Sequence, residues 1–264
     1  MNNELTTRGG LEEGLPIEEY GIMNTSIPQT SNNIDYYGDN PMYGALKDTL
    51  RIGLININGI PSNNTHLKNE QVRTAINKNH FDVTAFTEVN RCWHKIACNH
   101  RWRQRTQTWW EAAHHAEAFN TNDITTSDFQ PGGTLITSIN KIAHKIIESG
   151  YDKSGLGRWS WTKYRGKCNT MLRIVSLYRC CKPTTPGPST AYMQQQRYLD
   201  AVGSSTNPRK QVLTDIGQLI DKWNETGEQI VILADMNEDI TGSNISTWCQ
   251  QHHLQEAIIN KPVS

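Results

Sequence analysis

Gln229-Ile-Val-Ile-Leu-Ala-Asp235-Met-Asn237 sets an unbroken apolar run directly against a carboxylate and an amide. The run has the length of a strand, is rich in β-branched residues and carries no polar alternation, so it predicts a strand buried on both faces. A carboxylate at the end of such a strand is hydrogen-bonded, paired or holding a cation, because an isolated buried charge is costly. Just upstream, Pro208 stands where a first-turn proline belongs. Val212, Ile216, Leu219, Ile220 and Trp223 then follow at helical spacing, and Gly227 lies just past their end. Just downstream, Ile245, Trp248, Cys249 and His252 predict a last amphipathic helix.

Further out the same alternation of strand and helix continues. Leu50 to Asn58 is an apolar run closed by Gly59 and Pro61, and predicts a first strand. Leu67, Val72, Ala75 and Ile76 share a helical face and lead into a second strand over His80 to Glu88. Thr106 to Phe119, with Trp109 and Trp110 and several alanines, reads as a helix. A polar loop to Gln130 follows as a candidate substrate rim, and then a strand over Gly133 to Thr137. Arg158 to Tyr164 alternates strictly, Arg165-Gly-Lys167 turns the chain, and Met171 to Tyr178 returns as an antiparallel partner. Pro183, Pro186, Gly187 and Pro188 break the chain before Tyr192 to Val202. Strands paired as hairpins yet separated by helices predict an α+β fold: a four-layer α/β/β/α sandwich of two packed, mostly antiparallel sheets with helices outside.

The chain is 264 residues long and 36% hydrophobic, enough for a proper core. Residues 1–48 are rich in Asn, Gly, Thr, Pro and Glu without sustained periodicity and read as a flexible lead-in, leaving residues 49–264 as the domain. Lys plus Arg equals Asp plus Glu at 26 each, so any polyanion site must be local rather than a global basic charge. No apolar leader opens the sequence and no window reaches the ~20 apolar residues of a membrane span, which predicts a nuclear or cytoplasmic protein. In that setting the six cysteines read as reduced thiols.

The polar residues that interrupt or end the apolar runs are Asn56, Asn58, Glu88, Tyr178, Asp235 and Asn237. Each alone is an ordinary strand-end turn residue; together, in the order Asn-x-Asn-Gly, Glu, Tyr, Asp-x-Asn, they resemble the endonuclease/exonuclease/phosphatase superfamily. Ile55-Asn56-Ile-Asn58-Gly59-Ile60 is similar to its first motif in the endonuclease domain of non-LTR retrotransposons, and Phe86-Thr-Glu88-Val-Asn90 to its metal-binding glutamate motif. Ser176-Leu-Tyr178 resembles the tyrosine motif, and Ala234-Asp235-Met-Asn237 the Gly-Asp-x-Asn motif with Ala for Gly.

The resemblance implies a metal-dependent phosphodiesterase, a DNA endonuclease that nicks DNA to prime reverse transcription. Its cofactor would be Mg²⁺, with Mn²⁺ as an alternative, and its partners DNA and a reverse transcriptase encoded downstream. It implies Glu88 as metal ligand with Asn58, Asp235 as the group that positions or deprotonates water, Asn237 as holder of Asp235 and the phosphate, Asn56 as an orienting amide, and Tyr178 as a donor to a phosphate oxygen. Such chemistry needs a hard cation, an ionised carboxylate and donors for developing charge. The superfamily closes with an Asp-bearing strand and a Ser-Asp-His segment. The stretch from Glu238 to Ser264 contains no Ser-Asp-His, so the expectation is a C-terminally truncated domain lacking its last strands. The alternatives are an inactive fragment that keeps the scaffold or nucleic-acid binding, and a phosphatase or lipid phosphodiesterase of the same superfamily.

Two basic groupings interleave with tryptophan: Arg101-Trp-Arg-Gln-Arg105, and Arg158, Lys163, Arg165 and Lys167 around Trp159 and Trp161. They can stack on bases and neutralise phosphates, or simply form a solvated strand face. Cys92, His94, Cys98 and His100 match no usual zinc spacing. His114-His115 and His252-His253 point to different helix faces and read as surface residues.

Overall fold

The computed structural model describes residues 49–122, 127–182, 187, 189–238 and 243–255. The expected lead-in over residues 1–48, the prolines at 183, 186 and 188, and part of the expected rim loop lie outside them. Eight strands form two four-stranded sheets. The first has the order β1 (Ile52–Asn56), β2 (Val83–Thr87), β4 (Thr134–Ile139), β3 (Ala113–Ala118), and the second runs β5 (Ile146–Tyr151), β6 (Trp159–Arg165), β7 (Met171–Tyr178), β8 (Gln229–Asp235). The helices are α1 (Leu67–Lys78), α2 (Trp102–Thr106), α3 (Asn140–Ala143), α4 (Ala191–Ala201), α5 (Pro208–Glu225) and α6 (Ser243–Gln251). Each sheet holds one parallel pair, β1 with β2 and β7 with β8, beside antiparallel neighbours.

Three apolar layers account for the four-layer sandwich. Ile55, Phe86 and Leu135 of the first sheet pack outward against Val72 and Ile76 of α1 and Trp102 of α2. Val175 and Leu177 of the second pack outward against Val212, Ile216, Ile220 and Trp223 of α5 and Ile245 and Trp248 of α6. Between the sheets lie Val83, Ala116, Ile136, Tyr164 and Ile174. This middle layer is partly polar, and several of its hydroxyls find partners across it: Thr134 Oγ1 donates to Ser160 Oγ at 3.1 Å, Ser138 Oγ and Tyr164 Oη lie 2.6 Å apart, and Ser176 Oγ donates to the Phe86 carbonyl at 3.0 Å. Paired in this way, buried hydroxyls cost little and fix the two sheets in one relative position.

Helix α5 forms as its sequence predicts. Asn207 caps it by accepting from the Lys210 N–H, Pro208 opens it, Val212, Ile216, Ile220 and Trp223 are buried, and Gly227 takes φ +71° after its end.

Three expectations change. The helix expected over Thr106 to Phe119 is a short helix followed by the edge strand β3, because pairing with β4 supplies the hydrogen bonds that alanine's helical preference would otherwise claim. Of the paired histidines, His253 is exposed as expected, whereas His115 and His252 are engaged by neighbouring elements. His115 sits between the Thr106 and Thr137 hydroxyls at 2.9 and 3.1 Å, and His252 packs over Gly217 with Nδ1 2.7 Å from Asp221. The run Ile230 to Ala234 does pack on both faces, with Ile230, Ile232 and Ala234 toward the helices and Val231 and Leu233 toward the other sheet. It is only half-buried, however, because β8 is the edge of its sheet among the described residues.

Candidate active site

The two parallel pairs decide where the chemistry sits. Because β1 runs parallel to β2, Asn56 and Thr87 end side by side; because β7 runs parallel to β8, so do Tyr178 and Asp235. The sheets face each other, so the four C-terminal ends share one rim. Across it the Asn56 amide donates to Asp235 Oδ2 at 3.0 Å, joining residues far apart in the chain and in different sheets.

Three of the four strands leave this rim through residues in left-handed backbone: β1 at Asn58 (φ 41°), β2 at Glu88 (φ 51°) and Asn90 (φ 52°), and β8 at Asn237 (φ 46°). Asparagine tolerates that region and glutamate does so at some cost, so Glu88 is held by its surroundings rather than by preference. The Gly59 N–H donates to the Glu88 carbonyl at 2.7 Å, Ile60 to Val89 at 2.9 Å and Asn90 to Gly132 at 2.7 Å, while the Asn90 side chain accepts from the Gly132 N–H at 2.7 Å. Gly132 itself, at φ +84°, lies against the Tyr178 ring, where a Cβ would come within 3.1 Å.

Glu88 and Asp235 are both half-buried, and burial raises the pKa of each. Glu88 is pushed up further by the charge of Asp235, while side-chain hydrogen bonds from Asn56 and Tyr178 pull it down. Asp235 is pulled down by the Asn237 N–H, at 3.3 Å from Oδ1, and by Asn56. No ion pair to either carboxylate occurs among the described residues. The Tyr178 hydroxyl is pushed well above its usual range, first by burial and then by Glu88, so it stays a neutral donor.

Two neighbouring carboxylates with amide oxygens around them and no basic partner suit a hard divalent cation. Among the described residues no group of three or more His, Cys, Asp or Glu assembles. Glu88 and Asp235 are the carboxylates that could hold such an ion. Asn58 is exposed one step along the rim; its carbonyl accepts from Lys68 Nζ at 3.0 Å and its side chain lines the adjoining cleft.

Sequence reading missed the frame behind Asp235-Met-Asn237. The Asn237 amide donates to the Arg179 carbonyl at 2.9 Å, and the Arg179 N–H donates to the Asp235 carbonyl at 2.9 Å. Arg179 and Arg209 both grip Glu238, whose hydrogen bonds to Arg179 hold its carboxyl down at about 2. Cys181 was missed as well, its thiol 2.9 Å from Asn237 Oδ1. Only proximity to Tyr178 and to the start of α5 could have flagged these groups.

The two basic groupings are divided by the fold, with Arg103, Arg165 and Lys167 exposed and the other cations engaged inside the protein. Arg105 is buried, donating to the Pro61 and His100 carbonyls and to Asn69 Oδ1. Arg158 is buried between Asp152 and Asp215. Lys163 pairs with Glu228, to which the buried Arg173 also binds between Trp161 and Trp223.

No family model and no curated protein matches the sequence. Solved structures do match. A beta toxin of Staphylococcus aureus aligns over 79% of this chain and 73% of its own at 10% identity, with a TM-score of 0.50. The human Nocturnin catalytic domain covers 77% and 70% at 10% identity and TM-score 0.49, and an AP endonuclease from Archaeoglobus fulgidus 80% and 67% at 15% identity and TM-score 0.44. Proteins of an endonuclease/exonuclease/phosphatase family are among the others. The chain, whose described residues form two mixed four-stranded sheets flanked by helices, is thus similar in fold to the beta toxin over the aligned stretch.

Proposed function

We propose that this chain is a divalent-cation-dependent phosphodiesterase that cuts nucleic acid, a DNA endonuclease of the retroelement type. The observation that carries the reading is the Asn56 to Asp235 contact at 3.0 Å beside Glu88, which brings three of the motif residues from two sheets to one point. The Asn-Ile-Asn-Gly form of the first motif supports the retroelement type, for which a reverse transcriptase encoded downstream would be the partner.

Bound at Glu88, with Asn58 contributing directly or through water, Mg²⁺ or Mn²⁺ would neutralise charge on the phosphoryl oxygens. Asp235 accepts a hydrogen bond from the attacking water and takes its proton. Its two oxygens are already fixed by Asn56 and by the Asn237 N–H, and each keeps a lone pair for the water. The neutral Tyr178 hydroxyl and the Asn237 amide donate toward phosphate oxygens, where charge grows as the bond from the water oxygen to phosphorus forms and the P–O bond to the leaving alkoxide breaks, the alkoxide taking a proton from solvent.

The test is supercoiled plasmid incubated with and without Mg²⁺, using the wild type, Glu88→Ala and Asp235→Ala. Relaxed circles are expected only from the wild type with cation. Nicking that survives both substitutions overturns the reading.

A further inference from the structure

Beside the rim, and floored by Asn58, Gly59 and Asn90, lies a cleft of ≈ 360 Å³. Its walls carry Lys68, Arg91 and Phe129. None of the three belongs to the motif residues, and each is placed with some care. Lys68, in the first turn of α1, sets its ammonium on the backbone carbonyl of Asn58 and on no carboxylate among the described residues, so its charge is uncompensated there. Arg91 donates through Nε to the Ile60 carbonyl and reaches Asp128 only at 3.4 Å. Phe129 forms a backbone bridge with Arg91 and leaves 48% of its surface exposed.

Lys68 and Arg91 line one cleft and face a single carboxylate there, Asp128 beside Arg91, so the cleft keeps positive charge that attracts an anion such as phosphate. An exposed aromatic ring beside them supplies the other half of a nucleotide's chemistry, a flat apolar face for a base. The cleft is continuous with the rim, since the Gly59 N–H that lines it donates to the Glu88 carbonyl. A base inside a duplex has both faces covered by its neighbours, so only an unpaired or extruded base can lie on Phe129.

We propose that this cleft is a nucleotide subsite, in which Lys68 and Arg91 take a phosphate next to the scissile one and Phe129 stacks its unpaired base. The subsite rests on the nucleic-acid reading of the rim and narrows its substrate to single-stranded or locally unpaired DNA.

The test is fluorescence anisotropy in EDTA, with a labelled single-stranded oligonucleotide and the fully paired duplex of the same sequence. Phe129→Ala is expected to weaken single-strand binding at least about fivefold, the low end of base–aromatic stacking, while duplex binding changes less than about twofold. Phe129→Trp is expected to restore it. Lys68→Gln is expected to lower the slope of log affinity against log salt by about 0.7, one phosphate contact on a single strand. Both side chains are at least partly exposed, and melting curves of the variants check that the fold is intact. Single-strand affinity that is unchanged in Phe129→Ala overturns the subsite whatever Lys68→Gln does. If Phe129→Ala binds as wild type while the wild type nicks plasmid, the subsite fails and the phosphodiesterase reading stands. If binding follows Phe129 and no nicking occurs, the phosphodiesterase reading fails and the subsite stands.

Discussion

Tyr178 touches two charged clusters of opposite design. Its backbone N–H donates to the carbonyl of Arg158, and its side chain hydrogen bonds to Glu88. Arg158 is buried, yet it is met by Asp152 at 2.6 Å and Asp215 at 2.7 Å. Burial alone would lower its pKa, but those two carboxylates outweigh it and hold the guanidinium above its ordinary value. Glu88 and Asp235 are also drawn out of water, but toward each other and with no basic side chain paired to either among the described residues. The matched cluster fastens the β5–β6 connection to α5. The unmatched one stores an electrostatic demand that a cation can satisfy, and the fold tolerates it because α5, α6 and the inter-sheet hydroxyls hold the frame elsewhere.

The largest effect should come from breaking the matched cluster. Arg158→Met leaves Asp152 buried with only its own loop's hydrogen bonds, and the loss of one partner of a buried pair costs about 3–5 kcal/mol. For a domain of this size that is a fall in Tm of about 10 °C, read by thermal denaturation. A fall of only a degree or two would mean that the two clusters do not differ as their geometry indicates.

Removing charge from the unmatched cluster should do the reverse. Glu88→Gln is expected to leave the cation-free protein at least as stable as the wild type, to abolish the rise in Tm expected of the wild type on adding Mg²⁺, and to cut the proposed nicking at least about a hundredfold. The pH dependence separates the clusters too. Glu88 and Asp235 have raised folded pKa values, so in EDTA their contribution to stability is fully present below the unfolded carboxylate range and is lost as pH rises through those raised values. Glu238 is held down at about 2, so its contribution is present above the unfolded value and is lost as pH falls toward 2. Urea melts of the wild type, Glu88→Gln and Glu238→Gln across pH 3 to 7, a range of about four units around the carboxylate values, should therefore show difference curves of opposite slope.

Gly132→Ala tests the link between the clusters. The new methyl would strain a φ of +84° and press on the Tyr178 ring from 3.1 Å. A loss of about 1 kcal/mol in stability and about tenfold in nicking is expected, since the hydroxyl must shift relative to Glu88. Stability lost without activity would mean that Tyr178 only fills space.

Helix α5, the apolar run of β8 and the strand-end polar residues were legible in the sequence because their signals are local: a period, a cap, a charge set against an apolar run. What stayed hidden is non-local. Nothing in Ala113 to Ala118 announces an edge strand, since the pairing partner that makes it one lies across a loop in β4. Arg105 and Arg158 look like phosphate contacts because cations between tryptophans look alike whether buried or exposed. Only the carbonyls and carboxylates brought to them by distant segments decide the matter. The cations that do face the cleft, Lys68 and Arg91, lie in no cluster along the chain.

Cys181 carries the smallest expected effect and the finest distinction. Its thiol lies 2.9 Å from Asn237 Oδ1, and its pKa is raised by partial burial and then by Glu88 and Asp235, so without a metal it stands at neutral pH as a thiol that donates to that amide oxygen. A serine hydroxyl can donate to the same oxygen. Cys181→Ser is therefore expected to leave stability within about 0.5 kcal/mol and nicking within about twofold, with Mg²⁺ still preferred to thiophilic ions. A tenfold loss, or a switch in which cation supports nicking, would show that sulfur belongs to the donor set. The unmatched cluster would then be tuned to a softer ion than its oxygen atoms alone imply.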